Sequence, residues 1–370
     1  MSLLSHWRVA GAAAVFILTG SSAVALAMHE RPSGATVAYQ AMPAATASPR
    51  DPAASRAPAA RAGLALMTQA VAACRTTAFS GIQVFRWWGP RGARVWLANI
   101  WHRPGGQTIA DPMGGMGPMA ASGAALPGPS VSMAISDRQL ALMQADYVLE
   151  FAGSSSADGR QAEVVAVMRP DGTLAARYWL DRKTKLPLRR QLFDDHARLV
   201  SDTSFDELTI GPKSLSGMPT ASTLPWARQL TAPAIDALRR GGWPLPSELP
   251  GGMMLFAATQ TPTSAGPVIG LSYSDGLSVI SLFVQRGVLP GQLAGWQRIA
   301  VSGHVAYAVD PTDQAIAWSG DGYVFTLLAD APTATVDRAI AALPHDGQPG
   351  FWDRLGRGFR RLASWANPFR

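Results

Sequence analysis

The chain has 370 residues, of which 48% are hydrophobic and 15% are charged, so it is long and apolar enough for two folded domains. Its formal net charge of +7 comes from 29 arginines and three lysines. A single cysteine, Cys74, excludes an intrachain disulfide and a zinc ribbon. We attribute the total charge to a GC-rich genome that favours Arg and Ala, and predict no nucleic-acid partner.

The N-terminus predicts export. Arg8 precedes an apolar run from Val9 to Ala27, and the run ends Ala25-Leu26-Ala27, as signal peptidase prefers. The run is also about long enough to span a bilayer if it stays uncut. Residues 1–27 are therefore a signal peptide or a membrane anchor, which indicates a periplasmic or cell-surface location. Residues 28–62 are rich in Ala, Pro, Ser and Thr and predict a disordered stalk.

The first predicted domain covers residues 63–210. Apolar residues at helical spacing predict a helix over 64–77 and place Cys74 on its buried face. A hairpin follows, with strands over 81–88 and 93–102 around a Gly-Pro-Arg-Gly turn. A Met-, Gly- and Pro-rich tract, residues 111–130, is expected to be a mobile insertion.

The rest of this domain is predicted to be a short helix and a meander. Ser136 and Gln139 form a capping box that starts a helix ending near Gln144. Asp158-Gly159 and Asp171-Gly172 are favourable hairpin turns. The strands are expected over 147–152, 161–169, 174–180, 186–193 and 199–210. A helix followed by a meander indicates an α+β fold rather than a βαβ series.

A linker over 211–225 leads to a smaller α+β domain, residues 226–345. We predict a short helix over 234–240 and a closing helix over 333–343. The predicted strands lie between them, over 253–259, 268–273, 277–285, 297–301, 304–309 and 323–329.

The tail, residues 346–370, has a different character. Aromatic residues at helical spacing alternate with arginines, which is typical of a helix lying on an anionic membrane. A terminal helix docked on its own domain is the alternative. The predicted membrane-contacting residues are Trp352, Arg354, Arg357, Phe359, Arg360, Arg361 and Trp365.

The sequence carries no recognisable catalytic constellation, and we predict no enzyme, metal or cofactor. No two histidines have metal-ligand spacing. Ser274-Asp275-Gly276 is typical of a turn rather than a nucleophile, and Asp194-Asp195 of a turn rather than an acid/base couple.

Aromatic and Met side chains are the remaining sequence feature that could indicate a binding site. If the first sheet curves, they could line a lipid-sized groove; filling the core is the alternative reading. The candidate ligand-binding residues are Trp87, Trp96, Trp101, Met143 and Trp179. Strand alternation places Trp87 and Trp88 on opposite faces.

Several short motifs resemble the RseB/MucB regulators of extracytoplasmic sigma-factor signalling. In the first domain they include Arg177-Tyr178-Trp179-Leu180-Asp181 with Leu186-Pro187-Leu188-Arg189. In the second they are Leu249-Pro250-Gly251-Gly252 and Tyr273-Ser274-Asp275-Gly276-Leu277. The likeness covers most of residues 64–345; the insertion and the Arg-rich tail depart from it.

The resemblance implies a curved antiparallel sheet, an unclosed β-barrel like that of lipoprotein carriers, with helices in its hollow. It also implies a smaller C-terminal domain that grips a membrane anti-sigma factor and shields it from proteolysis until a lipid signal arrives. Candidate partner-binding residues are Tyr273, Asp275, Phe283 and Arg286. A lipid carrier without a signalling partner is the alternative, and a cell-wall hydrolase with a polar cleft is a third class.

Overall fold

The computed structural model describes residues 52–346 except 106, 114–118, 122–132, 220–227, 292, 294 and 310–314. This part of the chain contains two antiparallel sheets, one after the other in sequence. We call residues 52–219 the first unit and residues 228–346 the second unit. Three predicted segments lie outside the described residues: the signal peptide or anchor, residues 28–51 of the stalk, and residues 347–370 of the basic tail.

The first unit is a helix, a hairpin, a second helix and a meander. Its sheet order is β4-β3-β2-β1-β9-β8-β7-β6-β5, and the end strands β4 and β5 do not pair with each other, so the sheet does not close. The elements are α1 (Pro52–Thr76), β1 (Phe79–Gly89), β2 (Gly92–Arg103), β3 (Gln107–Pro112), β4 (Met119–Ala121), α2 (Asp137–Asp146), β5 (Val148–Ala157), β6 (Arg160–Met168), β7 (Leu174–Asp181), β8 (Pro187–Phe193) and β9 (Leu199–Ile210).

Local sequence signals explain most of these elements. The Ser136 side chain accepts from the Gln139 backbone N–H, and the Gln139 side chain accepts from the Ser136 backbone N–H, which confirms the predicted capping box. Asp158 and Gly159 have φ angles of +50° and +70°, which a tight hairpin turn requires. The hairpin of β1 and β2 is also as predicted.

Three sequence predictions need correction. Helix α1 begins at Pro52, so residues 52–62 are helical and not a disordered stalk. Strands β3 and β4 occupy part of the tract predicted to be a mobile insertion. A 3-10 helix (Pro212–Leu215) interrupts the predicted linker. For β3 and β4, pairing with β2 and with each other outweighs local composition.

The second unit is a single long sheet between two short helices. Its order is β10-β12-β13-β14-β18-β17-β16-β15, with β11 also paired to β12. The elements are β10 (Arg228–Gln229), α3 (Ala232–Arg240), β11 (Glu248–Leu249), β12 (Met253–Thr263), β13 (Gly266–Ser274), β14 (Val279–Arg286), β15 (Gln297–Val301), β16 (His304–Ala308), β17 (Ala315–Gly320), β18 (Tyr323–Asp330) and α4 (Thr333–Ala341).

Each unit has its own core. In the first, Met67 and Val71 of α1 and Met143 of α2 pack on the face of the sheet that carries Val165 and Leu180. In the second, Trp318 and Phe325 lie in the core with residues of α4 such as Ile340. Cys74 is buried, as predicted, and burial raises the pKa of its thiol to about 11.

The predicted fold class is confirmed: an α+β protein with a curved, unclosed antiparallel sheet, packed helices and a second C-terminal unit. Among the helices of the described ranges, none combines the length and the apolar character needed to cross a bilayer.

Candidate functional site

The predicted ligand-binding residues do not converge on one point. Trp87 and Met143 belong to the same buried cluster beneath α1 and α2. Trp96 stacks on Phe85 in a neighbouring cluster, with ring centroids 3.8 Å apart. Trp179 packs in a separate cluster on the other face of the sheet, where the guanidinium of Arg189 lies 5.1 Å from its ring centroid.

Trp101 also lies on the outer face, because strand alternation places it opposite Ala98 and Ile100, which face the core. The structure therefore brings together Trp87 and Met143, with Trp96 nearby on the same face. Ligand binding by any of the five residues stays a prediction. Trp87 is 4% exposed and Trp88 39% exposed, so these two side chains lie on opposite faces, as predicted.

Gln83 is a polar side chain in the middle of this apolar face. It lies on β1 between Phe205 of β9 and Ala98 of β2 and is fully buried. Among the described residues, neither its Nε2 nor its Oε1 has a hydrogen-bond partner. An unpaired buried amide is unfavourable, so its presence calls for a physical reason.

The strongest polar constellation lies where the two units meet. Two turns of the second unit dock on the C-terminal half of α2. At Gly276 (φ +91°) an added Cβ would lie 2.5 Å from the Met143 backbone nitrogen, and at Gly252 (φ +75°) 2.6 Å from Asp146 Oδ2. Leu277 inserts into the core of the first unit. The Leu249–Gly252 and Tyr273–Leu277 motifs therefore build this junction.

Tyr147 and Asp275 form a buried hydrogen bond across the junction. The Tyr147 hydroxyl donates to Asp275 Oδ2 at 2.7 Å, and the backbone N–H groups of Leu277 and Ser278 donate to Asp275 Oδ1. Burial raises the pKa of Asp275, while these donors oppose the shift. Burial and the neighbouring carboxylate also raise the pKa of Tyr147. The donors satisfy the Asp275 carboxylate inside the junction.

Arg190 adds a buried ion pair to the same junction. Its Nη2 donates to the Leu277 carbonyl at 2.6 Å, and its Nη1 lies 3.3 Å from Asp330 Oδ2. The side chains of Arg190 and Asp330 are only 8% and 5% exposed. The Arg190 Nε has no hydrogen-bond partner among the residues that the structure describes. A buried pair of this kind fixes one relative placement of the two units, because separating its partners leaves an uncompensated charge.

A cleft of about 330 Å³ opens beside these contacts. Asp195 lies between two guanidinium groups there, 3.1 Å from Arg338 and 3.8 Å from Arg169. Both units line the cleft, with Asp146, Tyr147 and Phe193 from the first and Gly251, Ser278 and Thr335 from the second. Its charges are largely matched within the protein, and no three His, Cys, Asp or Glu residues of the described ranges are grouped to hold a metal ion.

The predicted partner-binding residues differ in accessibility. Tyr273 is fully buried and donates to the Pro246 carbonyl, and Asp275 is buried in the junction. Phe283 is half-buried on the sheet face opposite Leu282 and Val284 of the core. Arg286 is exposed, with its guanidinium 5.5 Å from the Trp243 ring centroid. Two of the four side chains are thus accessible. The predicted membrane-contacting residues of the tail lie outside the described part of the chain.

Comparisons with known proteins agree with this architecture. Residues 127–229 match the family model described as the MucB/RseB N-terminal domain. The chain is MucB/RseB-like. It is similar to "Sigma factor AlgU regulatory protein MucB" of Pseudomonas aeruginosa, with 27% identity over 202 residues, which are 53% of this chain and 60% of that protein. The MucB/RseB-like chain thus spans less than two thirds of this curated relative.

One solved structure has a similar fold. A crystal structure of MucB aligns with a TM-score of 0.50 and 21% identity, covering 77% of this chain and 98% of that chain. The MucA/MucB complex of Pseudomonas aeruginosa aligns over the same share of this MucB/RseB-like chain and all of the matched chain, with a TM-score of 0.46 and 22% identity.

Proposed function

We propose that the chain is a non-enzymatic, extracytoplasmic regulator of a sigma-factor pathway that binds the outer segment of a membrane-bound anti-sigma factor. The match of residues 127–229 to the MucB/RseB family model carries this proposal. The sigma-factor regulatory role in the name of the curated relative and the shared fold support it. The apolar N-terminal run that ends Ala25-Leu26-Ala27 supports export.

We assign the partner contact to the second unit, with Arg286 at its centre. The guanidinium of Arg286 is exposed and is held over the rings of Trp243 and Tyr323, at 5.5 and 5.9 Å from their centroids. An ordered arginine beside aromatic rings is typical of a side chain that contributes strongly to a protein interface.

Binding should be measured by titration calorimetry with the purified outer segments of the membrane anti-sigma factors of the source bacterium. We expect one of them to bind, and Arg286→Ala to weaken binding by about 1–2 kcal/mol, which is roughly 5- to 30-fold. Arg298→Ala, an exposed arginine on the edge strand β15, is the matched control and should bind like the unchanged protein. No binding by any segment would refute the proposal; equal effects of both variants would refute the assigned surface.

Lipid binding in the hollow of the first unit is the second candidate function. Gln83 favours it, because an amide with no partner sits on a face of aromatic and aliphatic side chains. A lipid with an ester or amide group could satisfy it. Native mass spectrometry of the purified chain should then detect a lipid adduct. Loss of the adduct in Gln83→Leu but not in Gln191→Leu, a change on the outer face, would tie the lipid to this position.

A further inference from the structure

Two histidines of the second unit stack face to face at the end of the described chain. His304 begins β16 and His345 follows α4, and their ring centroids lie 4.1 Å apart with the planes inclined by 6°. The Nδ1 atoms of both rings are buried and have no hydrogen-bond partner within the described part of the chain. Parallel rings direct their lone pairs side by side, so this pair does not converge on one metal ion.

The hydrogen bonds of His345 define its neutral form. Its Nε2 lies 2.8 Å from the Ile340 carbonyl, which can only accept, so Nε2 carries the proton and Nδ1 is left bare. A second proton on the His345 ring would bind at Nδ1. No acceptor among the described residues lies beside this atom, and the ring faces another imidazole. The stacked arrangement therefore favours two neutral rings.

The stack secures a short segment against β17. The Trp318 indole N–H donates to the Pro344 carbonyl at 3.0 Å, and the Asp346 backbone N–H donates to the Ser319 carbonyl at 2.9 Å. Gly320 permits the crossing, because a Cβ there would lie 2.2 Å from the Pro344 oxygen. The His345 ring also lies 5.7 Å from the Trp318 ring.

We propose that the His304–His345 stack is a proton-sensitive clasp that holds residues 344–346 on β17 at neutral pH and releases them in acid. The rest of the basic tail, residues 347–370, follows this segment in the sequence. The clasp thus holds the segment that precedes the rest of the tail on the second unit. Protonation in acid releases that segment.

The electrostatic surroundings give the direction of the effect. Burial lowers the pKa of His345, and His304 lowers it further, while the Ile340 carbonyl and Asp346 raise it. The elements packed on the ring thus contribute one imidazole from β16, one carbonyl from α4, the apolar Trp318 ring from β17 and the carboxylate of Asp346. Because the docked ring binds a proton less readily than a free one, docking is fully favourable above about pH 6.5 and weakens as the pH falls below that value.

Hydrogen exchange of the full chain, followed by NMR, tests the clasp at two reporters. These are the indole N–H of Trp318 and the backbone N–H of Asp346. Their exchange rates are converted to protection factors, which correct for the intrinsic pH dependence of exchange. We expect both factors to fall at least about tenfold between pH 7.5 and pH 5.0, a change of about 1.4 kcal/mol in docking. Constant protection over this range would overturn the proposal.

Two variants distinguish release of the clasp from a non-specific loosening of the whole protein at low pH. His304→Phe keeps a ring for stacking but removes the imidazole that helps to lower the pKa of His345, so the fall in protection between pH 7.5 and pH 5.0 should be smaller than in the unchanged chain. His345→Gln retains a donor for Ile340 but removes the stack, so protection should be low at both pH values. His196→Gln, at an exposed turn, should behave like the unchanged chain. An identical pH midpoint in His304→Phe and the unchanged chain would equally refute the clasp.

Discussion

Tyr147 of the first unit donates a 2.7 Å hydrogen bond to the buried carboxylate of Asp275 in the second unit. This single contact joins the residue that follows α2 to the turn between β13 and β14. Helix α2 also places Leu140 and Met143 in the core beneath α1. One short helix therefore contacts the core of the first unit and the second unit at the same time. A change in that core that moves α2 must also move this junction.

Removing the Tyr147 hydroxyl should destabilise the protein. Tyr147→Phe leaves one oxygen of a buried carboxylate without its donor, and a hydrogen bond to a charged group contributes about 1.5–3 kcal/mol. Urea denaturation should show a loss of this size in the free energy of unfolding. Tyr307→Phe removes an exposed hydroxyl that donates to the Gly291 carbonyl, and should cost less than about 0.5 kcal/mol. Equal losses in the two variants would contradict the assigned role of the junction.

Gly276 tests how closely the two units are packed. A side chain there must adopt φ +91° and would also meet the Met143 backbone nitrogen at 2.5 Å. Gly242 has a similar φ of +84° with nothing within 4 Å of the added Cβ, so Gly242→Ala reports the cost of the backbone conformation alone, about 1–2 kcal/mol. We expect Gly276→Ala to lower the free energy of unfolding by at least about 2 kcal/mol more than Gly242→Ala. Similar melting temperatures for the two variants would show that the contact can relax.

Arg190 and Asp330 should be strongly coupled. Asp330→Ala leaves a buried guanidinium with only the Leu277 carbonyl, and we expect a loss of about 3–5 kcal/mol. Arg190→Met combined with Asp330→Ala should cost clearly less than the sum of the two single changes, since no unpaired charge remains. Chemical denaturation of the four proteins of this cycle measures the coupling. The exposed pair Arg239–Asp236 is the control, and Asp236→Ala should change stability by less than about 1 kcal/mol. Strict additivity of the Arg190 and Asp330 changes would contradict the prediction.

The sequence predicted the fold better than the site because the two depend on different distances along the chain. Turn chemistry at Asp158-Gly159 and the capping box at Ser136 are local, so the meander and α2 could be placed closely. Strand β17 was missed, although Asp321 and Gly322, with φ +52° and +79°, form the same kind of turn after it. Reading that Asp-Gly pair as a hairpin turn would have found the strand.

The junction could not be predicted, since its partners are far apart in sequence. Arg190 and Asp330 are separated by 140 residues, and Tyr147 and Asp275 by 128. One signal was present: of the adjacent arginines 189 and 190, strand alternation must direct one to each face of the sheet. Arg189 pairs with Asp202 on the outer face, so Arg190 faces inward and requires a buried partner. Tyr273 and Asp275 were predicted to contact an external partner. The turn that carries Asp275 contacts α2 of the same chain, and the partner contact stays a prediction.

Acid should weaken the first unit through His102. This ring is buried, its Nε2 faces the Cys74 carbonyl and its Nδ1 lies 2.7 Å from the Thr108 hydroxyl. Burial lowers its pKa, while the Cys74 carbonyl opposes the shift. Because the folded pKa lies below the unfolded value of about 6.5, the contribution of His102 is complete above that pH and is lost as the pH falls through it.

Unfolding free energies at pH 7.5, 6.0 and 5.0 measure this contribution. The fall in stability over this range should be smaller in His102→Gln than in the unchanged chain, even though the variant is less stable at pH 7.5. His196→Gln, at an exposed position, should leave the pH dependence unaltered. A His102→Gln profile parallel to that of the unchanged chain would show that the ring does not titrate in this range.

Replacing Gln83 with a hydrocarbon should stabilise the protein. The amide is fully buried with neither atom paired, and each buried unsatisfied group costs about 1–3 kcal/mol. Leu has a similar volume and suits the surrounding Phe205 and Ala98 side chains, so Gln83→Leu should raise the melting temperature by several degrees. Gln191→Leu provides the opposite case, because its Nε2 donates to Asp202 and the change should lower stability. A stabilised Gln83→Leu protein that no longer carries a lipid adduct would identify the amide as a feature kept for binding at the expense of stability. A destabilised one would show that the amide supports the fold in the unliganded protein.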